Sequence, residues 1–144
     1  GNAAVISRLV LMKQAADLHS PTTNQIVTDH VARRHFPTHV ATLRETYRAR
    51  RDAMLAALAR EMPEGVTWTR PEGGMFIWLT LPAHIDAADL LAQSLQSERV
   101  AFVPGRAFFA DGSNGNTLRL SFSCADAAAI NEGITRLGRL IRRA

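Results

Sequence analysis

Arg119 is the residue of this 144-residue chain best suited to hold a charged group. It stands in Thr117-Leu118-Arg119-Leu120-Ser121-Phe122-Ser123, a run that alternates strictly. Leu118, Leu120 and Phe122 share one face of a strand, and Arg119 stands on the other, between Thr117 and Ser121. A guanidinium offers paired donors that match carboxylate geometry, and a strand holds it more rigidly than a loop. The strand alone leaves two readings open: a carboxylate clamp, or an arginine on the wet face of a half-buried sheet. Other reactive residue types are poorly placed. The histidines are His19, His30, His35, His39 and His84. Pro37 lies between His35 and His39, which predicts that this pair does not sit one turn apart on one helix. No carboxylate or thiol stands beside them at ligand spacing, so no metal is expected. Cys124, in a capping turn with no histidine near it in sequence, reads as a structural thiol. Gly73-Gly74 precedes a strand instead of opening a helix, the reverse of a phosphate cradle, although a Gly-Gly backbone can approach a ligand closely.

The elements that must position Arg119 follow from periodicity. Pro71-Glu72-Gly73-Gly74 leads into Met75-Phe76-Ile77-Trp78-Leu79-Thr80-Leu81, which reads as a strand buried on both faces and sharing a sheet with the Arg119 strand. Arg119 would leave that sheet toward a cleft. Short strands are expected at Val66–Thr69 and Val100–Val103. Asp86, with Asp89 three residues on, caps a helix through Leu90, Leu91 and Leu95, and Ser123 caps a last helix with the stripe Ile130, Ile134, Leu137 and Ile141. Upstream, Val5, Leu9, Met12 and Ala16 mark a helix from about Ala3 to Asp17, with Gly1-Asn2-Ala3 set aside as a cloning remnant. A second helix, with Ser20 as N-cap and Pro21 at N1, stops at Pro37. A third runs from about His39 to Met62, about 24 residues or roughly 36 Å, a length suited to linking domains. The order predicts an α+β fold: a small, mostly antiparallel sheet covered by helices.

Composition sets the outer bounds. With 47% hydrophobic residues the chain can build a core. No apolar run approaches the eighteen or so residues that span a bilayer, and the single cysteine excludes an internal disulfide; a cytoplasmic protein is expected. The net charge of +4 is carried almost wholly by arginine. Arg44, Arg48 and Arg51, and Arg136, Arg139 and Arg143, recur at helical spacing without interleaved aromatics. They read as solvated helix faces, and no nucleic-acid or membrane partner is expected.

Four stretches occur in order: Tyr47-Arg48-Ala49-Arg50-Arg51-Asp52-Ala53-Met54-Leu55, Pro71-Glu72-Gly73-Gly74-Met75-Phe76-Ile77-Trp78-Leu79, Val103-Pro104-Gly105-Arg106-Ala107-Phe108-Phe109, and Leu118-Arg119-Leu120-Ser121-Phe122-Ser123. Together they resemble the C-terminal part of fold type I, class I/II pyridoxal-phosphate (PLP) aminotransferases, nearest the 2-aminoadipate, aromatic and branched-chain subgroup. The resemblance covers essentially the whole chain. It implies that Arg119 binds the substrate α-carboxylate and that Gly74 and Met75 lie on the substrate side of the cleft. Residues 1–38 would be helices linking from a large domain, and residues 39–144 the small domain that closes over an amino acid or 2-oxo acid. It also implies a homodimer and PLP in the full-length parent. None is expected on this fragment. The family's Schiff-base lysine follows a Ser-rich turn, whereas Lys13, the only lysine, sits mid-helix in Leu11-Met12-Lys13-Gln14. No catalytic residue is therefore assigned, and the chain alone is expected to be inactive. Two other readings stand beside this one: the aminotransferase-like effector domain of a winged-helix transcriptional regulator, and a basic α+β binding module.

Overall fold

The computed structural model describes residues 1–144 as two units, Gly1–Thr42 and Leu43–Ala144. In the first, α1 (Ala3–Ala16) is capped by Asn2, whose side chain accepts from Ala4 N–H at 2.9 Å. Asn2 therefore takes part in the helix end. At the other end Lys13 Nζ donates to the carbonyls of Asp17 (2.9 Å) and Leu18 (3.2 Å), satisfying acceptors that the helix leaves free. The predicted stripe exists, but no residue of α1 is buried.

The second and third expected helices are one: α2 runs from Thr22 to Glu61 with Pro37 inside it. Proline removes one i→i−4 bond and crowds the turn before it. The residues from Arg33 to His39 are exposed, so water can take the carbonyl left without a donor. Thr38 Oγ1 donates to His35 O at 3.1 Å beside the proline. The helix starts at Thr22, with Gln25 N donating to Pro21 O, so Pro21 sits at the cap position and not at N1.

The second unit carries β1 (Thr67–Trp68), β2 (Phe76–Thr80), α3 (Ala87–Ser97), β3 (Val103–Pro104), β4 (Thr117–Ser121) and α4 (Ala127–Ile141). The strands form one sheet in the order β1-β2-β4-β3, every pairing antiparallel. The expected α+β architecture is thus present. Ile77, Leu79, Leu118 and Leu120 point into a core shared with Met54, Ala57 and Leu58 of α2, Leu90 of α3, and Ile130, Ile134 and Leu137 of α4. Asp86 caps α3, its Oδ1 accepting from Ala88 N at 2.8 Å. Asp126, not Ser123, caps α4, accepting from Ala129 N at 2.8 Å.

One correction bears on function. β2 is buried on one face only: Ile77 and Leu79 are fully enclosed, while Phe76 is 38% exposed and Thr80 lies open. Met75 precedes the strand and is 41% exposed. The helices of this unit send their buried residues into the single core on the other side, so the opposite face stays open, as antiparallel sheets permit.

Candidate functional site

The strand register composes that open face. Opposed residues of an antiparallel pair project to the same side, and Trp78 faces Arg119 while Phe76 faces Ser121 and Thr80 faces Thr117. On its other flank Arg119 faces Val103. The arginine therefore stands mid-sheet among apolar neighbours. Its guanidinium carbon lies 3.9 Å from the ring centroid of Phe76 and 4.7 Å from that of Phe108, both within cation–π range. No carboxylate or carbonyl of the chain accepts a hydrogen bond from it. Arg106 differs: its Nη2 is held by Asp86 Oδ2 at 2.7 Å. Arg51 is engaged too, by Asp52 at 2.7 Å and by the carbonyl of Glu72 at 3.1 Å. Arg119 is half-buried, lies against two ring faces, and its guanidinium donates to no acceptor of the chain.

Phe108 reaches the sheet from a 3-10 turn, Gly105–Phe108, that directly follows β3. Trp78 meets Phe108 edge to face at 5.5 Å and 74°, and Phe109 at 6.1 Å and 64°. The turn can lie this close because position 105 has no side chain. A Cβ there would overlap Thr117 Oγ1 and stand 2.8 Å from Trp78 Cζ2. Leading into β4, the Asp111 carboxylate accepts from Ser113 N–H at 3.0 Å, which holds its pKa below the usual aspartate range.

The other residues singled out from sequence are spread more widely. Gly74 has φ +80°, a left-handed conformation that favours glycine, with open space where a side chain would be. Met75 lends its carbonyl to Phe122 N–H at 3.1 Å. Both lie at the end of β2 that pairs with Ser121, and neither makes a hydrogen bond to Arg119. Arg51 fixes the turn before them through the carbonyls of Pro71 and Glu72. Contrary to expectation, His35 and His39 do share one helix, one turn apart, and line one surface groove with Val31 and Thr38. No third histidine, cysteine or acid completes a ligand set with them. Arg48 pairs with Glu45, Arg136 with Glu132, and Arg139 and Arg143 approach Glu98, so acids interleave with these arginines, while Arg44 stands exposed.

Sequence reasoning singled out Arg119 and did not place Phe76 and Phe108 beside it. Phe76 was within reach, since the period of two puts it on the side of Trp78. Phe108 was not, because nothing local marks the turn that folds it back. Covalent attachment of PLP needs a free lysine amine, and Lys13 Nζ is engaged as a helix cap by Asp17 and Leu18. The chain's one lysine therefore does not fit the attachment point of that cofactor.

Comparison with known proteins follows the same lines. Residues 1–137 match the family model described as aminotransferase class I and II. The 2-aminoadipate transaminase of Thermus thermophilus is 45% identical over 95% of this chain and 34% of its own length. A solved alpha-aminoadipate aminotransferase of Thermus thermophilus, complexed with N-(5'-phosphopyridoxyl)-L-leucine, is 43% identical with a TM-score of 0.84, over 99% of this chain and 36% of that one. An uncharacterized HTH-type transcriptional regulator of Bacillus subtilis, YdfD, is 29% identical over 99% of this chain and 29% of its own length. The chain thus spans about a third of the length of the curated relatives it matches.

Proposed function

Because the chain belongs to the class I and II aminotransferase family, we propose that it is the C-terminal small domain of a PLP-dependent aminotransferase, with Arg119 binding the α-carboxylate of an amino acid or 2-oxo acid. The observation that carries this reading is the state of that arginine: half-buried on the open face of the sheet, oriented by aromatic rings, with no acid of its own chain. Two in-plane N–H donors on a rigid strand can receive both oxygens of a carboxylate and fix the substrate's orientation. The domain supplies binding and orientation. The proton-moving groups and the cofactor lysine are proposed to reside outside these residues, with residues 1–38 as linking helices and residues 39–144 as the closing domain. The left-handed turn at Gly74 and the carbonyl of Met75 would border the substrate side. A cytoplasmic homodimer completes the proposal.

The test joins the first two thirds of the Thermus thermophilus transaminase to this chain in place of its own C-terminal third. The hybrid should transaminate, and Arg119→Ala should raise KM for donor and acceptor together by at least about thirtyfold, as loss of a charged bidentate contact predicts. A folded hybrid, loaded with cofactor, whose KM values ignore Arg119→Ala would overturn the assignment. This chain alone, mixed with PLP, should show no borohydride-reducible absorbance. The match to YdfD supports a second reading, an effector domain that binds the same ligands without turnover. A DNA-binding module encoded directly upstream would favour it.

A further inference from the structure

We infer that Phe76 and Phe108 are positioning residues for Arg119, and that Gly105 is what lets Phe108 serve as one. The inference rests on the reading of Arg119 as the carboxylate-binding group and adds the device that prepares it.

An arginine side chain is long and flexible, and one that receives a ligand without an acid beside it has nothing to hold it still before the ligand arrives. Ordering it at binding would weaken affinity. An acid neighbour would order it, but would occupy the donors that the ligand needs, as Asp86 does for Arg106 at 2.7 Å. Ring faces solve both problems. A guanidinium stacks through its flat face and leaves its in-plane donors available. Phe76, on the neighbouring strand and diagonal to Arg119 in register, gives the closer contact at 3.9 Å; Phe108 gives a second at 4.7 Å. Both rings stay substantially exposed, 38% and 48%, so burying them in the core is not what places them. Phe108 is fixed from behind by Trp78 at 5.5 Å. That contact depends on the turn passing close over the sheet, where any Cβ at Gly105 would meet Thr117 and Trp78.

The inference is tested in two arms. In the full chain, nuclear magnetic resonance of the Arg119 Nε–H should show a ring-shifted, ordered guanidinium; Phe108→Leu and Phe76→Leu should each move the resonance toward its free-peptide position and lower its order, and Phe108→Tyr should not. In the hybrid transaminase, either leucine variant should raise KM for amino donor about three- to tenfold with kcat held within about twofold, and Phe108→Tyr should restore it. A merely structural role would lower thermal stability and kcat without this split. Leucine variants that leave the Arg119 resonance and KM unchanged, while Arg119→Ala still raises KM, overturn the inference and leave the proposed function standing. An unchanged KM in Arg119→Ala itself sinks the proposed function, whatever the rings do.

Discussion

Leu9 and Leu118 occupy elements of equal regularity, yet Leu9 on α1 is 53% exposed and Leu118 on β4 is 0% exposed. The contrast holds across the two units. In Gly1–Thr42, Val5, Leu9, Met12, Ile26, Val27 and Val31 all stand more than half exposed, whereas in Leu43–Ala144 one face of the sheet and the facing sides of the helices close on one core. Apolar residues on a helix contribute to stability only where a second layer covers them, and on α1 they run round the helix, with Ile6, Val10 and Leu11 exposed beside Val5, Leu9 and Met12. The second unit has such layers within itself. The first does not.

The sharpest way to break this comparison is one truncation in each unit. Leu118→Ala opens a cavity in a close-packed core and should lower unfolding free energy by about 2–5 kcal/mol in a urea titration, whereas Leu9→Ala should change it by less than about 0.5 kcal/mol. Equal losses at the two sites would mean that α1 is packed in solution and that the contrast is false.

The uncovered face predicts association. At high concentration the chain should self-associate through Val5, Leu9 and Met12, and a Leu9→Glu, Met12→Glu double variant should sediment as a monomer. Wild-type chain that stays monomeric throughout the concentration range removes the prediction. A smaller effect belongs to the ordered unit. Asp86 caps α3 and pairs with Arg106, so Asp86→Ala should cost about 1 kcal/mol, read as an earlier urea midpoint with unchanged slope.

The sequence made the second unit far more legible than the first, for the same reason. Strict alternation through Leu118, Arg119 and Leu120 fixed both the strand and its faces, because a buried face punishes any slip in register. Asp86 as a cap was equally readable. Pro37 misled, since the cost of proline in a helix depends on whether water can reach the orphaned carbonyl, a fact of exposure that no local pattern carries. β2 misled in a related way. Phe76 and Trp78 are apolar, so alternation between apolar residues looked like burial on both sides, whereas Phe76 lies against the Arg119 guanidinium and Trp78 meets Phe108 edge to face on the open side of the sheet. The candidate site was thus legible at its charged centre and illegible at its aromatic rim, which rests on strand register and on the turn through Gly105.

The smallest predicted effect concerns the approach to β4, where Asp111 is exposed and its carboxylate is favoured by the backbone N–H of Ser113, then by the Ser113 side chain. The pKa is lower in the folded state than in the unfolded one, so the charged form stabilises the fold. That contribution is complete above the ordinary aspartate value, about 3.9, and is lost as pH falls through the lowered value below it. Asp111→Asn should therefore shift the urea midpoint slightly and constantly from about pH 5 upward, with the gap from wild type closing in stronger acid. Because the group is solvated, added salt should shrink the gap further. A gap that widened toward acid would reverse the sign and show that burial, not the Ser113 N–H, governs this carboxylate.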